Sequence, residues 1–323
     1  MAPYLVRRVS WSLVMFLVIT FVAYVIFFLV PADPARQFAG KRATAADVQR
    51  VRTALGLDQP VPVQYGRFVW NLVGHQSLGR SFANRQSVNE IVGAAAPVTA
   101  SLVVGGVLLY ILIAIPVGIL SALRPRSLLD RVAMVYVLFG ISLPSVWVGL
   151  LLAYLVGFKL GLTPFTGYCD AINPPPGAQC GGPVQWAYHL VLPWATIAIV
   201  SAGIYVRMIR ANVMETLNED FVRTARAKGA PEWRVLRSHV LRNAMLPVVT
   251  MIGMDIGLLI GGLIFVEQVF GLPGLGNVAY NSIFNFDLPT TMGITIFASL
   301  AILVFNLVTD MLYAWIDPRI RLS

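Results

Sequence analysis

The sequence predicts an all-α polytopic membrane protein of six transmembrane helices, and three features predict it. Apolar residues make up 57% of the 323-residue chain and charged residues only 12%, against about 25% charged in soluble domains, too few to cover a soluble surface. Apolar runs of bilayer-spanning length recur along the chain, and within lipid such runs must satisfy their own backbone hydrogen bonds, which favours helices. Among the short connections between the runs, Lys and Arg are concentrated on one side, the short loops opposite contributing only Lys159.

The six spans are expected near Val9 to Val30, Pro97 to Leu120, Val132 to Phe158, Leu190 to Ile209, Ala244 to Val266 and Met292 to Trp315. The first would extend about 33 Å as a helix, enough for a hydrocarbon core of about 30 Å. Its apolar run is longer than a secretory signal's, and no small-x-small cleavage site follows before Pro31, so it is expected to be retained. Arg7 and Arg8 precede span one, Arg124, Arg126 and Arg131 lie between spans two and three, and Arg319 and Arg321 close the chain. These fall on the same side as Arg210, Arg223, Arg226, Lys228, Arg234, Arg237 and Arg242, whereas the short loops opposite contribute only Lys159. The bias places both termini in the cytoplasm. It also makes the net charge of +9 a matter of topology, since no zinc-finger or RNA-binding signature accompanies it.

Three regions follow: residues 1–30 with the N-terminus and first span, an extracytoplasmic piece over 31–96, and a core bundle over 97–323. In the outer piece, Thr44 fits an N-cap, Asp47 stands three residues on, Val48, Val51 and Leu55 form an apolar face, and Gly56 is a stop, which reads as a short amphipathic helix. A Pro-marked turn and a second helix around Tyr65 to Val73 follow. This piece is either a small cap on the bundle or a docking surface. Another outer loop holds the only two cysteines, Cys169 and Cys180; without CxxC spacing or clustered histidines a metal site is disfavoured, leaving a disulfide or two free thiols.

The connection between spans four and five, residues 212–243, is a charged island in a chain with few charges to spare. Leu217, Phe221 and Ala225 recur at i, i+4 and i+8, a helical apolar face of about three turns. Gly229 suits a left-handed cap and Pro231 the first turn of a second helix, giving a helix, a tight turn and a helix. Read from Asp220, the pattern Asp-x-x-x-Thr-Ala-x-x-x-Gly resembles the EAA loop of ATP-binding-cassette importer permeases. The resemblance implies a coupling helix seated on a separate ATPase subunit, with Leu217, Asp220, Phe221, Thr224, Ala225, Lys228, Gly229 and Pro231 at the contact. Without the resemblance, the segment also reads as an amphipathic hairpin held in anionic headgroups.

Where general EAA loops carry Ile-x-Leu-Pro, this chain has His239-Val-Leu-Arg242 and its proline later, at Pro247. That displaced form resembles the peptide and nickel branch. Val30-Pro-Ala-Asp-Pro, Ala54-Leu-Gly-Leu-Asp-Gln-Pro, Gly262-Leu-Ile-Phe-Val-Glu-Gln-Val-Phe-Gly-Leu-Pro-Gly-Leu-Gly and Asp317-Pro-Arg-Ile-Arg are similar to the first, B-type, of the two paired permeases of dipeptide and oligopeptide importers. Gly74-His-Gln-Ser-Leu-Gly departs from their shorter Gly-Asp-Leu-Gly. The resemblance implies the type I importer permease fold in the bacterial inner membrane. It implies a homologous second permease, two ATP-binding subunits and an extracytoplasmic substrate-binding protein as partners, with peptide as cargo and nickel or another small solute as the alternative.

No cofactor is expected in this chain. Its one Gly-Lys pair, Gly40-Lys41, is followed by Arg42 and lacks the Ser or Thr of a phosphate-binding loop, so ATP and Mg belong to the partner subunits. Nor is there a HExxH or GxSxG motif, and the chain is not expected to be an enzyme. Within the spans, Asp255 reads as a path or packing residue without a second carboxylate or histidine to complete a proton relay. Asp310 reads as an interhelical hydrogen-bonding group near Asn306, Glu267 as a contact to the outer loop, and Arg207 and Arg210 as side chains that snorkel or gate. Gly253, Gly257, Gly261 and Gly262 form a small-residue stripe that suits either a sliding subunit interface or packing within the chain. The rivals from other classes, an ATP-independent secondary transporter and a scaffold with no path, would require intramembrane ion ligands or inverted repeats in the first case, and dispensable uptake in the second.

Overall fold

The structure is a computed structural model that describes residues 2–29, 34–39, 43–54, 58–171 and 180–316. The segments Val30 to Asp33, Gly40-Lys41-Arg42, Leu55-Gly56-Leu57 and the tail from Asp317 lie outside the described residues, so the expectations placed on them have no structural counterpart. Every named element is a helix: α1 (Ala2–Tyr24), α2 (Pro34–Ala39), α3 (Ala45–Ala54), α4 (Val61–Gly74), α5 (Val88–Leu123), α6 (Leu128–Ser142), α7 (Ser145–Leu152), α8 (Pro183–Leu217), α9 (Asp220–Ala227), α10 (Glu232–Arg234), α11 (Leu241–Ala244), α12 (Leu246–Gly262), α13 (Ile264–Phe270), α14 (Leu275–Phe284) and α15 (Leu288–Ile316). Wider π turns follow α1, α7 and α10.

Four stretches are long and apolar enough to cross a bilayer: Val6–Phe27, Val88–Leu123, Pro183–Leu217 and Leu288–Met311. Two bent pairs raise the number to six if each counts as one span. The expected third span, Val132 to Phe158, is not one straight helix, because its two halves meet at 106°. The cause is Pro144. A proline pushes its predecessor out of the helical region, and Leu143 is extended at φ −95°, ψ 127°. The expected fifth span is divided as well: its helix begins at Leu246 after a 44° bend and ends at Gly262, with α13 separate. Helices α5 and α8, at 36 and 35 residues, would each exceed 50 Å at about 1.5 Å per residue. They run well past the expected span limits because their polar ends remain helical.

The chain forms two compact units. In the first, which includes residues 1–99, 260–264 and 273–304, α4 packs on α1 through aromatic rings. The Tyr65 hydroxyl lies 2.9 Å from Thr20 Oγ1, Tyr24 donates to Gln64 Oε1, and Phe21 meets Tyr65 edge-on at 5.2 Å between centroids. The expected cap of α3 is present: Thr44 N and Oγ1 donate to Asp47 Oδ2 at 3.0 and 2.6 Å, while Asp47 N donates to Thr44 Oγ1. A second carboxylate, Asp287, is buried ahead of α15. It accepts from Ser81 Oγ, from Phe82 N at 2.8 Å and from Thr290 Oγ1 at 2.7 Å, so it both caps the last helix and pins the 79–87 loop.

The second unit, residues 100–259, 265–272 and 305 onward, is organised around α8. Glycines let neighbours approach it closely. A Cβ on Gly118 of α5 would lie 2.8 Å from Ile209, and one on Gly140 of α6 would lie 2.9 Å from the Ile199 carbonyl oxygen. On α8 itself, a Cβ on Gly203 would lie 3.2 Å from the Val137 Cα. Tyr136 seals the α6 crossing by donating to the Ile199 oxygen at 2.9 Å.

Candidate functional site: a helical hairpin at the end of α8

Helix α8 ends at Leu217, and Asn218 closes it by donating its side-chain amide to Met214 O at 2.9 Å. Glu219 is extended at ψ 147° and starts α9 in a new register. The apolar face expected through Leu217, Phe221 and Ala225 is therefore interrupted. Leu217 belongs to α8, and α9 spans only eight residues. Its buried side chains are Val222 at 0% and Ala225 at 8% exposure, while Phe221 is 41% exposed. Ala225 is packed as expected but Phe221 is not, because the extended Glu219 resets the angular phase across the helix break.

The turn matches its expected chemistry. Lys228 N donates to Thr224 O, Gly229 N to Arg226 O and Ala230 N to Ala225 O; the last is a six-residue closure of Schellman type. Gly229 sits at φ +78°, where side chains with a Cβ are strained. Pro231 stands just outside the next helix, as its N-cap at ψ 145°, rather than in its first turn. The return arm runs through α10 and the π turn Val235–Val240 into α11, and α9 packs on that π turn by burying Val222 and Ala225 with Val235 and Val240.

Across the turn, Arg226 clamps Glu232 bidentately, Nε to Oε1 at 2.9 Å and Nη2 to Oε2 at 3.2 Å. Both side chains are largely exposed, so the pair orders the turn more than it stabilises it. Asp220, Thr224 and Lys228 are exposed beside Phe221, and Trp233 stands 68% exposed on the return arm. The hairpin thus buries Val222, Ala225, Val235 and Val240 while two aromatic side chains, Phe221 and Trp233, remain exposed.

One carboxylate beside this hairpin was not anticipated. Asp130, in the first turn of α6, is 4% exposed and receives Arg210 bidentately, Nε to Oδ1 at 2.7 Å and Nη2 to Oδ2 at 3.0 Å. Arg210 therefore neither snorkels nor stands free to gate. The pattern Ser127-x-x-Asp130 is a local capping signal, realised as Asp130 N donating to Ser127 Oγ, and could have flagged Asp130. No local signal connects it with a residue 80 positions away.

The intraspan residues are distributed differently from one another. Asp255 is not isolated: Tyr205 donates to its Oδ2 at 2.6 Å, and the Tyr205 ring stacks on Tyr110 at 4.8 Å. Asp310 is half-buried on α15, and Glu267 is fully buried on α13. Along the glycine stripe, a Cβ at Gly253 would collide with Thr309, one at Gly261 would meet nothing, and Gly257 is buried. The Gly253 end thus packs within this chain, and the Gly261 position is open.

Cys169 and Cys180 form a disulfide, with the His189 ring 3.3 Å from Cys169 Sγ. Although these three side chains cluster tightly, sulfurs bonded to one another are not thiolates and offer no metal site. Intact-mass measurement after alkylation should show no adduct without reductant and two with it; adducts in the unreduced protein would rule the bond out.

Residues 114–322 match the family described as binding-protein-dependent transport system inner membrane component, and residues 1–103 match the N-terminal part of such membrane components. The chain is 39% identical over 330 aligned positions to the Escherichia coli (strain K12) protein named "Probable D,D-dipeptide transport system permease protein DdpB", covering 98% of this chain and 97% of that one. It is 36% identical over 322 positions to the oligopeptide transport system permease protein AppB of Bacillus subtilis (strain 168), covering 99% and 100%.

Proposed function

The chain belongs to the binding-protein-dependent transport system inner membrane component family, and we propose that it is a permease subunit of an ATP-driven peptide importer. The observation that carries the mechanism is the packed hairpin α9 to α11, with Phe221 and Trp233 outward and its turn set by Gly229 in a left-handed conformation. In this reading both termini and the hairpin face the cytoplasm, as the Lys and Arg bias argues. Leu217, Asp220, Phe221, Thr224, Ala225, Lys228, Gly229 and Pro231 form or shape the knob that an ATPase subunit holds. Two such ATPase subunits carry the ATP and Mg, a homologous second permease completes the path, and an extracytoplasmic binding protein delivers the cargo. Closing the ATPase cleft draws two docked knobs together, and helices packed as closely as α6 and α8 follow as bodies rather than bending.

Peptide is favoured over nickel as cargo because the relatives that align along essentially the whole chain are named for dipeptide and oligopeptide transport. The test is copurification of this chain with its partner subunits, followed by reconstitution into liposomes with peptide-loaded binding protein. ATP-dependent peptide accumulation is expected. Accumulation that proceeds without ATP, or by this chain alone, would instead identify a secondary transporter.

A further inference from the structure

We propose that Asp130 and Arg210 form a positioning pair that carries displacement of the hairpin into α5 and α6; this rests on the permease reading above. Both carboxylate oxygens of Asp130 are fully engaged. Oδ1 accepts from Ser121 Oγ and Arg210 Nε, and Oδ2 accepts from Arg126 N and Arg210 Nη2. One buried group therefore joins the end of α5, the turn before α6, the first turn of α6, and α8. Arg210 lies two turns before the end of α8, from which Asn218 and Glu219 lead directly into α9. Beside it on α8, Asn212 donates to the oxygen of Ala244 at 3.2 Å, the last residue of the hairpin's return arm. The end of α8 thus holds both arms of the hairpin on one side and the ends of α5 and α6 on the other.

The chemistry of the joint suits transmission. A planar guanidinium meeting a carboxylate in two parallel hydrogen bonds fixes both separation and rotation, whereas an apolar contact at the same place would let α8 turn or slide. Buried ion pairs contribute little net stability against apolar replacements, and their best-attested use is to specify register. Close packing of Gly118 on Ile209, next to the ion pair, and of Gly140 on Ile199, about three turns away along α8, already holds the helices together, so the ion pair serves alignment at the hairpin end rather than cohesion.

The test uses the intact complex in liposomes with peptide-loaded binding protein, comparing wild type with Asp130→Asn, Arg210→Lys and, as a control, Arg207→Lys. Arg207 is exposed on the same helix. Both pair variants are expected to assemble and to hydrolyse ATP at near the wild-type basal rate in the absence of binding protein, while peptide uptake per ATP falls at least about tenfold and stimulation by the binding protein disappears. The control should match wild type. Uptake and hydrolysis falling in equal proportion, or both remaining at wild-type level, would overturn the proposal. If Asp130→Asn does not assemble, Arg210→Lys decides, since it keeps the charge and removes only the bidentate geometry; failure of both to assemble makes the pair purely structural and also overturns it. A wild-type complex without ATP-driven uptake would instead refute the permease reading, and the inference with it.

Discussion

Replacing Gly229 by valine is expected to yield a complex that assembles yet no longer converts ATP hydrolysis into peptide uptake. At φ +78° a residue with a Cβ pays roughly 1–2 kcal/mol, and a β-branched one is a genuine outlier there. A Cβ at Gly229 would meet no neighbouring atom, so the penalty is purely conformational and relief comes from changing the turn rather than from repacking. The change breaks the closure from Ala230 N to Ala225 O and re-aims Phe221 against Trp233. The strain is confined to a local turn and displaces no neighbour, so expression and detergent stability should be close to wild type. Gly229→Asn, which tolerates left-handed backbone, should retain most of the uptake. Equal uptake and equal substrate-stimulated hydrolysis in Gly229→Val and wild type would refute the coupling role.

The second large effect is on the fold itself. Gly140→Leu places a Cβ 2.9 Å from the backbone oxygen of Ile199, and a backbone carbonyl cannot swing aside as a flexible side chain can. Helices α6 and α8 must separate, which also breaks the Tyr136 hydrogen bond to Ile199 O and loosens the contact of Gly203 with Val137. Overpacking of this kind costs about 1–3 kcal/mol, occasionally more, with about 1 kcal/mol added for the hydrogen bond. The variant should lose its monodisperse fraction in detergent and unfold at clearly lower temperature. Gly261→Leu is the matched contrast, because nothing lies within reach of a Cβ there, and the isolated chain should be as stable as wild type. A melting temperature for Gly140→Leu equal to that of Gly261→Leu would show that the α6 and α8 crossing is not tight.

How much could be read in advance follows from the range of each interaction. The helix cap at Thr44 and Asp47 and the left-handed turn at Gly229 were legible because their partners lie within a few residues. The 106° break at Leu143 and Pro144 carried an equally local signal, a proline inside an apolar run, but hydropathy averaged over a window passes straight across it. The apolar face of α9 is only partly legible, Ala225 but not Phe221 being packed, because a regular spacing does not continue through Asn218 and Glu219, where the helix stops and restarts.

By itself the sequence determined that this chain is a membrane helical protein, which connections carry its charge, and where its hairpin turns, since composition, Lys and Arg bias and turn chemistry act locally or by simple addition. Only the tertiary structure decided which side of α9 is packed, that Asp255 is met by Tyr205, that Gly140 and Gly203 bring α6 and α8 backbone to backbone, and that Arg210 reaches back to Asp130. Each of these depends on two residues far apart in the chain arriving at one place. The periodicity of either segment alone says which residues share a face, and not what that face will meet.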